Sequence, residues 1–148
     1  MAERGEFYFL RSFRSEGHVA LSAYLDVSTP DLRQTVLQRT EEALDPYVSG
    51  RDGLSPDQAI ELREDLEMVR IYLGGRNAAR APYLAIFSCA PELFWRVYQL
   101  DSPLREKVVV QPRLYLEPLE DAVRHLNASS LRLSRENGLQ PESGCANL

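Results

Sequence analysis

The sequence has few of the residues that build disulfide frameworks, metal clusters or nucleophile–base pairs. Its 148 residues include two cysteines and two histidines, and the cysteines, Cys89 and Cys145, lie far apart. That spacing indicates neither a disulfide framework nor a set of metal ligands, so we expect no metal and no cofactor. Cys89 falls in a strongly apolar stretch, where a free cysteine usually packs as a small buried hydrophobe.

Long apolar runs and targeting signals are also missing. No apolar run approaches the roughly 20 residues that span a bilayer, and residues 1–6 lack the basic start and apolar core of a secretory signal. We therefore expect a cytoplasmic protein with no membrane partner. The formal net charge of −5 argues against general affinity for nucleic-acid backbones, so no DNA partner is expected, but it does not exclude a local basic face.

Three successive strands are predicted within residues 82–111, and the rest of the chain is organised around them. Tyr83–Cys89 is an almost unbroken apolar run, Phe94–Leu100 mixes aromatic and polar residues, and residues 108–110 are three valines. The link between the first two runs is short. It favours antiparallel pairing, because a parallel return needs a crossover of a dozen or more residues.

The remaining elements are one strand and several helices. Residues 18–27 alternate between apolar and polar types and predict the first strand, with one apolar face. Helical spacing predicts a short helix in residues 6–15 that gathers Phe9 and Phe13 as a lid on the core, and a last helix from residue 116 that Leu133 extends. Two further helices begin at a proline, at Pro30 and after the capping box of Ser55 and Gln58.

These elements predict an α/β (α+β) fold in a single domain. We expect a mixed sheet of about four strands, with a largely antiparallel hairpin in its middle and three to four covering helices. Residues 1–138 form the domain in this interpretation. Residues 139–148, which are rich in proline, glycine and small polar types, are predicted to be a disordered tail.

Asp26 is the best isolated polar candidate for a ligand site. It ends the first predicted strand, and ligands of open α/β sheets gather outside the carboxyl ends of strands. The alternative is that its carboxylate serves the turn formed by Ser28 and Thr29. No base or metal-binding set accompanies Asp26, so no catalytic residue is assigned and an enzyme is the least favoured interpretation.

A second candidate is a basic patch near the glycine pair that ends the third helix. Arg76 and Arg80 lie in one predicted loop, and Tyr72 and Asn77 stand beside them. Together these four residues predict a patch that meets RNA through phosphate contacts. The alternative is that these are ordinary surface arginines. Further basic residues follow at Arg105, Lys107 and Arg113.

Two stretches, taken together, resemble a known family. One is residues 21–27 (Leu-Ser-Ala-Tyr-Leu-Asp-Val) followed by Ser-Thr-Pro; the other includes residues 84–89, Phe94–Leu100, 108–110 and 116–119. They are similar to the N-terminal domain of the bacterial proteins related to archaeal and eukaryotic class-1 peptide-chain release factors. The likeness covers roughly residues 19–126. It implies a fold and a role in translation, with the ribosome or ribosomal RNA as partner.

The chain also departs from that family. The Gly-Gly-Gln motif that hydrolyses peptidyl-tRNA and the Asn-Ile-Lys-Ser stop-codon motif are both absent. The esterase activity is therefore not carried over, and the expected function is a non-catalytic release-factor-like domain that binds the ribosome or a translation partner. The alternative is a small interaction protein with no ribosomal role, a homodimer that hides a sheet edge left open by the short C-terminus.

Overall fold

The computed structural model describes residues 2–49, 53–74, 81–101, 103–126 and 133–136. Within them lie four α-helices, five strands and a 3₁₀ turn at Ala90–Glu92. The helices are α1 (Ala2–Ser12), α2 (Pro30–Val48), α3 (Pro56–Gly74) and α4 (Glu117–Leu126). The strands are β1 (Ala20–Asp26), β2 (Tyr83–Cys89), β3 (Phe94–Leu100), β4 (Lys107–Gln111) and β5 (Leu133–Glu136).

The strands form one sheet in the order β4-β1-β2-β3-β5. The predicted α/β class, with a sheet of about four strands and covering helices, is confirmed. The four pairings between the described strands are all antiparallel, whereas a sheet with both parallel and antiparallel pairs was expected. The predicted hairpin of β2 and β3 lies near the middle, where three residues of 3₁₀ turn reverse the chain.

The interpretation of Leu133 as an extension of the last helix is wrong. Leu133 begins β5 and stands opposite Leu100 of β3. The physical reason is that β3 would otherwise present one row of unpaired backbone groups, and a fifth strand supplies partners for them. Helical spacing alone could not reveal this, because a four-residue strand has too few residues to show a period.

Helices cover both faces of the sheet, so the protein has three layers. On one face α1 and α4 pack through residues such as Leu10 and Leu119, which are fully or almost fully buried. On the other face α2 and α3 pack through residues such as Leu44 and Leu62. The central strands β1 and β2 are therefore buried on both sides, and each strand contributes alternate residues to two separate cores.

The alternation in β1 correctly predicts a strand but not its surroundings. Leu21, Ala23 and Leu25 face α2 and α3 as expected. The sequence pattern assigns the opposite face of β1 to polar residues. That face is also buried, since Ser22 and Tyr24 are both fully inaccessible to solvent. Tyrosine and serine are compatible with burial when their hydroxyl groups find partners, and the partners here lie far along the chain.

The first helix is a lid on the core, but with different contact residues from those predicted. Phe7 and Leu10 are the α1 residues that are buried in the core, whereas Phe9 is 44% exposed and Phe13 is half-buried. Phe9 and Phe13 both lie against the ring of Phe94, with centroid distances of 5.9 and 4.5 Å. The spacing correctly places the two phenylalanines on one side, at the margin of the helix contact rather than at its centre.

The helix boundaries follow the local signals closely. The Ser55 hydroxyl accepts the Gln58 backbone N–H at 3.1 Å, and the Gln58 side-chain oxygen accepts the Ser55 N–H at 3.0 Å, which confirms the predicted capping box. Pro30 is the first residue of α2, as predicted. Pro46 lies inside the last turn of α2, and the helix ends two residues later at Val48.

Leu93, which follows the 3₁₀ turn, adopts a left-handed conformation with φ 54° and is 92% exposed. A branched side chain in this region costs about 1–2 kcal/mol, and an exposed one gains no packing in return. We expect Leu93→Gly to raise the free energy of unfolding by about 0.5–1 kcal/mol, after the larger entropy of glycine in the unfolded chain is subtracted. Urea denaturation measures this change. Leu93→Ala, which keeps the Cβ atom, is the control, and an equal gain in both variants would contradict the strain interpretation.

Candidate functional site

Two adjoining open depressions share Tyr115 in their lining, and we call them together the Tyr115 groove. Their volumes are about 590 and 630 Å³. One lies between α4 and residues 103–105, and the other lies between α4, the end of α1 and residues 111–116. Five arginines line the groove: Arg11, Arg14, Arg105, Arg113 and Arg124.

The first strand holds the backbone of Tyr115 in place. The Tyr115 N–H donates to the buried Ser22 hydroxyl at 2.9 Å, and the Tyr24 hydroxyl donates to the Tyr115 carbonyl. Burial raises the pKa of Tyr24 far above its usual value, so its hydroxyl remains protonated and available as a donor. The groove is therefore anchored to the central sheet, although it lies on a connection outside it.

Two of the five arginines of the groove pair with carboxylates at the surface. Arg11 pairs with Glu120 at 2.8 Å, and Arg124 pairs with Asp121 at the same distance. The arginine side chains of these pairs are 58% and 70% exposed, and ion pairs in such positions contribute little to stability. An incoming anion can therefore replace the carboxylates as the partner of these guanidinium groups at a low cost in free energy.

The other arginines differ in their contacts. Arg14 donates to the backbone carbonyls of Arg11 and Phe13, which leaves its charge uncompensated by those contacts. Arg113 is exposed and makes no hydrogen bond or ion pair with the described part of the chain. With Arg105 they give the groove five arginines against the three carboxylates of Glu117, Glu120 and Asp121.

Tyr115 supplies an aromatic ring between the two depressions. The Lys107 ammonium lies 5.5 Å from the ring centroid, and the phenol donates to the Glu117 carboxylate at 3.4 Å. Desolvation, together with the charge of Glu117, raises the pKa of Tyr115, so the ring is a neutral phenol at physiological pH. A groove lined by guanidinium groups that also contains an aromatic ring suits a ligand with phosphates and flat bases.

Asp26 lies at the end of β1, and its carboxylate serves the turn that follows. Its Oδ1 accepts the Ser28 backbone N–H at 3.0 Å and the Ser28 hydroxyl at 2.7 Å. Its own N–H donates to Glu106, whose carboxylate also accepts from Arg39 Nε at 3.0 Å. The turn role, weighed as the alternative from sequence, is thus present in the structure. A ligand at Asp26 stays a prediction.

Of the four residues predicted for the basic patch, the structure describes only Tyr72. Tyr72 lies in α3, is 4% exposed and packs its ring 6.1 Å from that of Trp95. In this position Tyr72 belongs to the core beneath α3, not to a surface on which a base could stack. Arg76, Asn77 and Arg80 lie outside the described residues, so RNA binding through them stays a prediction.

The prediction that Cys89 is a buried hydrophobe is confirmed. The residue is fully buried. Burial, and to a smaller extent the nearby charge of Asp65, raises the pKa of its thiol to about 11.

In the described part of the chain no group of three or more His, Cys, Asp or Glu side chains is placed to hold a metal ion. Among the described helices none has the length and apolar character needed to cross a membrane.

Sequence reasoning missed most of the Tyr115 groove. Arg105, Lys107 and Arg113 stand out in the sequence as scattered basic residues, but nothing in their spacing connects them with Arg11, Arg14 or Arg124. The connection depends on long-range contacts such as the Arg11–Glu120 pair, which joins residues 109 positions apart. A single sequence holds no local signal for such a contact.

Comparison with known proteins adds no family assignment. No protein-family model matches the chain, and no curated protein matches it.

Proposed function

We propose that this protein is a non-catalytic domain, related to the N-terminal domain of release factors, that binds the ribosome or a translation partner in the cytoplasm. The observation that carries the proposal is the Tyr115 groove, where five arginines line two depressions that share Tyr115 and Lys107 lies over its ring, in a chain of net charge −5. Ribosomal RNA offers the phosphates that such a surface recognises.

The resemblance supports the same proposal. The stretches that are similar to the release-factor family coincide with β1, β2, β3, β4 and the start of α4. The residues shared with the family are thus core residues, whereas the groove residues lie at the surface beside α4. The resemblance supports the fold and the translation context, and the groove supports the mode of binding.

The proposal predicts saturable, salt-sensitive cosedimentation of the purified protein with ribosomes. We expect the double variant Arg113→Glu and Arg124→Glu to weaken binding by at least about tenfold, because two phosphate contacts are lost and replaced by repulsive charges. The dependence of binding on salt concentration should also become less steep. The matched control is Arg63→Glu with Arg70→Glu, which makes the same charge change on α3 at the other face of the sheet. Circular dichroism of each variant verifies that the fold is retained.

A parallel arm tests the patch predicted from the sequence, with Arg76→Glu and Arg80→Glu. Loss of binding in this variant alone would assign the contact to that loop and not to the groove. Unchanged binding in both double variants would exclude both surfaces. If wild-type protein does not cosediment at low or moderate salt, the ribosome proposal is wrong.

One observation favours the alternative, a homo-oligomeric interaction protein. Strand β4 pairs with β1 on one side and stands at the end of the described sheet. Its Val108, Val109 and Val110 are half-buried, and a β-branched edge strand is a template for pairing with a second chain. This alternative predicts a dimer in solution, and a monomeric mass by light scattering at high concentration would refute it.

A further inference from the structure

A buried carboxyl group joins α3 to the end of β2. Asp65 is fully buried, and its Oδ1 accepts the Ser88 hydroxyl at 2.6 Å and the Ala90 backbone N–H at 2.9 Å. Ser88 is the second-last residue of β2, and Ala90 begins the 3₁₀ turn. These two hydrogen bonds attach the middle of α3 to the point where the chain leaves the sheet.

Two further polar atoms in this layer have no hydrogen-bond partner among the described residues. They are Asp65 Oδ2, an acceptor when ionised, and Trp95 Nε1, a donor. Trp95 stands opposite Ser88 in the pairing of β2 with β3, so both side chains lie on the α3 face of the sheet. Buried polar groups are nearly always satisfied, so two such atoms on side chains that both neighbour Ser88 are unusual.

The charges around Asp65 favour the protonated carboxyl. Glu61 and Glu64 on the same helix repel the ionised form, and the Cys89 thiol of β2 is held neutral by burial. Glu61 is itself in contact with His18, whose Nδ1 lies 2.9 Å from the Glu61 carboxylate. Among the described residues, no lysine or arginine forms a hydrogen bond or ion pair with Asp65. Burial, partly offset by the bonds from Ser88 and Ala90, raises the pKa of Asp65 to about 6.

We propose that Asp65, Ser88 and Trp95 form a buried proton-binding site that controls how firmly α3 is attached to the sheet. Oδ1 already accepts two hydrogen bonds, so Oδ2 is the oxygen that carries the proton. With the proton bound, the site holds no net charge and the interface of α3 with β2 and β3 is closed. When the proton leaves, an uncompensated charge remains in an apolar layer, and α3 opens more often to let water reach it.

The chain contains a single tryptophan, Trp95, so its fluorescence reports on this site alone. We expect the emission of wild-type protein to change in one step with a midpoint near pH 6. The Asp65→Asn variant should lack that step. His18→Gln, which removes the histidine in contact with Glu61, is the control, and it should keep the step.

Ser88→Ala provides a second test if Asp65→Asn does not fold. The Ser88 hydroxyl stabilises the ionised carboxylate, so its removal should move the midpoint to higher pH. Amide hydrogen exchange gives an independent readout, with exchange in α3 accelerating above the midpoint relative to that in α4. A step that persists in Asp65→Asn, a step lost in His18→Gln, or no step in the wild type would overturn the proposal.

Discussion

Replacing Phe87 with alanine is expected to lower the free energy of unfolding by about 3–5 kcal/mol, which is a large part of the stability of a typical domain. Phe87 is fully buried in the middle of β2. Its ring meets the edge of Tyr24 at a centroid distance of 5.9 Å and that of Tyr98 at 6.0 Å. Removing it leaves a cavity between the sheet and the layer of α1 and α4, and the two tyrosines lose their central contact.

Urea denaturation followed by circular dichroism measures this loss. Phe87→Leu is the matched variant, because it keeps most of the apolar volume and should cost clearly less. Phe9→Ala, at a phenylalanine that is 44% exposed, provides a surface comparison with a smaller effect. Equal losses in Phe87→Ala and Phe9→Ala would contradict the assignment of Phe87 to the centre of this core.

The second large effect is a dependence of stability on pH that comes from Asp65. Its pKa is raised to about 6 in the folded protein, against about 3.9 for an unperturbed aspartate. Below pH 4 both the folded and unfolded forms carry the proton. Between these values the folded form binds more protons than the unfolded form, so stability falls as the pH rises. Above pH 6 the loss from this group is complete, at about 3 kcal/mol.

The measurement compares wild type with Asp65→Asn, because other carboxylates contribute to the pH dependence of both proteins equally. Between pH 4 and pH 8 the variant should gain about 3 kcal/mol relative to wild type. The control is Glu67→Gln on the exposed side of α3, for which the difference from wild type should change little with pH. Stability curves for wild type and Asp65→Asn that run parallel from pH 4 to pH 8 would contradict the assignment.

Much of the fold could be predicted from the sequence because its signals are local. The strands β2 and β3 have the predicted limits, and the Ser55 capping box begins α3 in the structure. Apolar runs, alternation and caps depend on residues within a few positions of each other, so one sequence contains all the information they need. The reversal between β2 and β3 is equally local, since its link is too short for any other connection.

The features missed from sequence are those that depend on distant residues. The short β5 is defined by its pairing with β3, and the second buried face of β1 is defined by α1, α4 and the bonds to Tyr115. The candidate site belongs to the same group. Tyr72, expected at a surface, is buried against Trp95 because the face that α3 presents to the sheet is decided by packing with the strands.

The sequence by itself thus determined where the main strands and helices lie, the α/β class and the burial of Cys89. Only the tertiary structure decided which residues share a site. It brought Arg11 of α1 and Arg124 of α4 into one depression beside Tyr115, and it enclosed Asp65 beside Ser88, which stands opposite Trp95. The physical reason is that secondary structure follows from local spacing, whereas a site requires side chains from distant segments to meet, and that depends on how the layers pack.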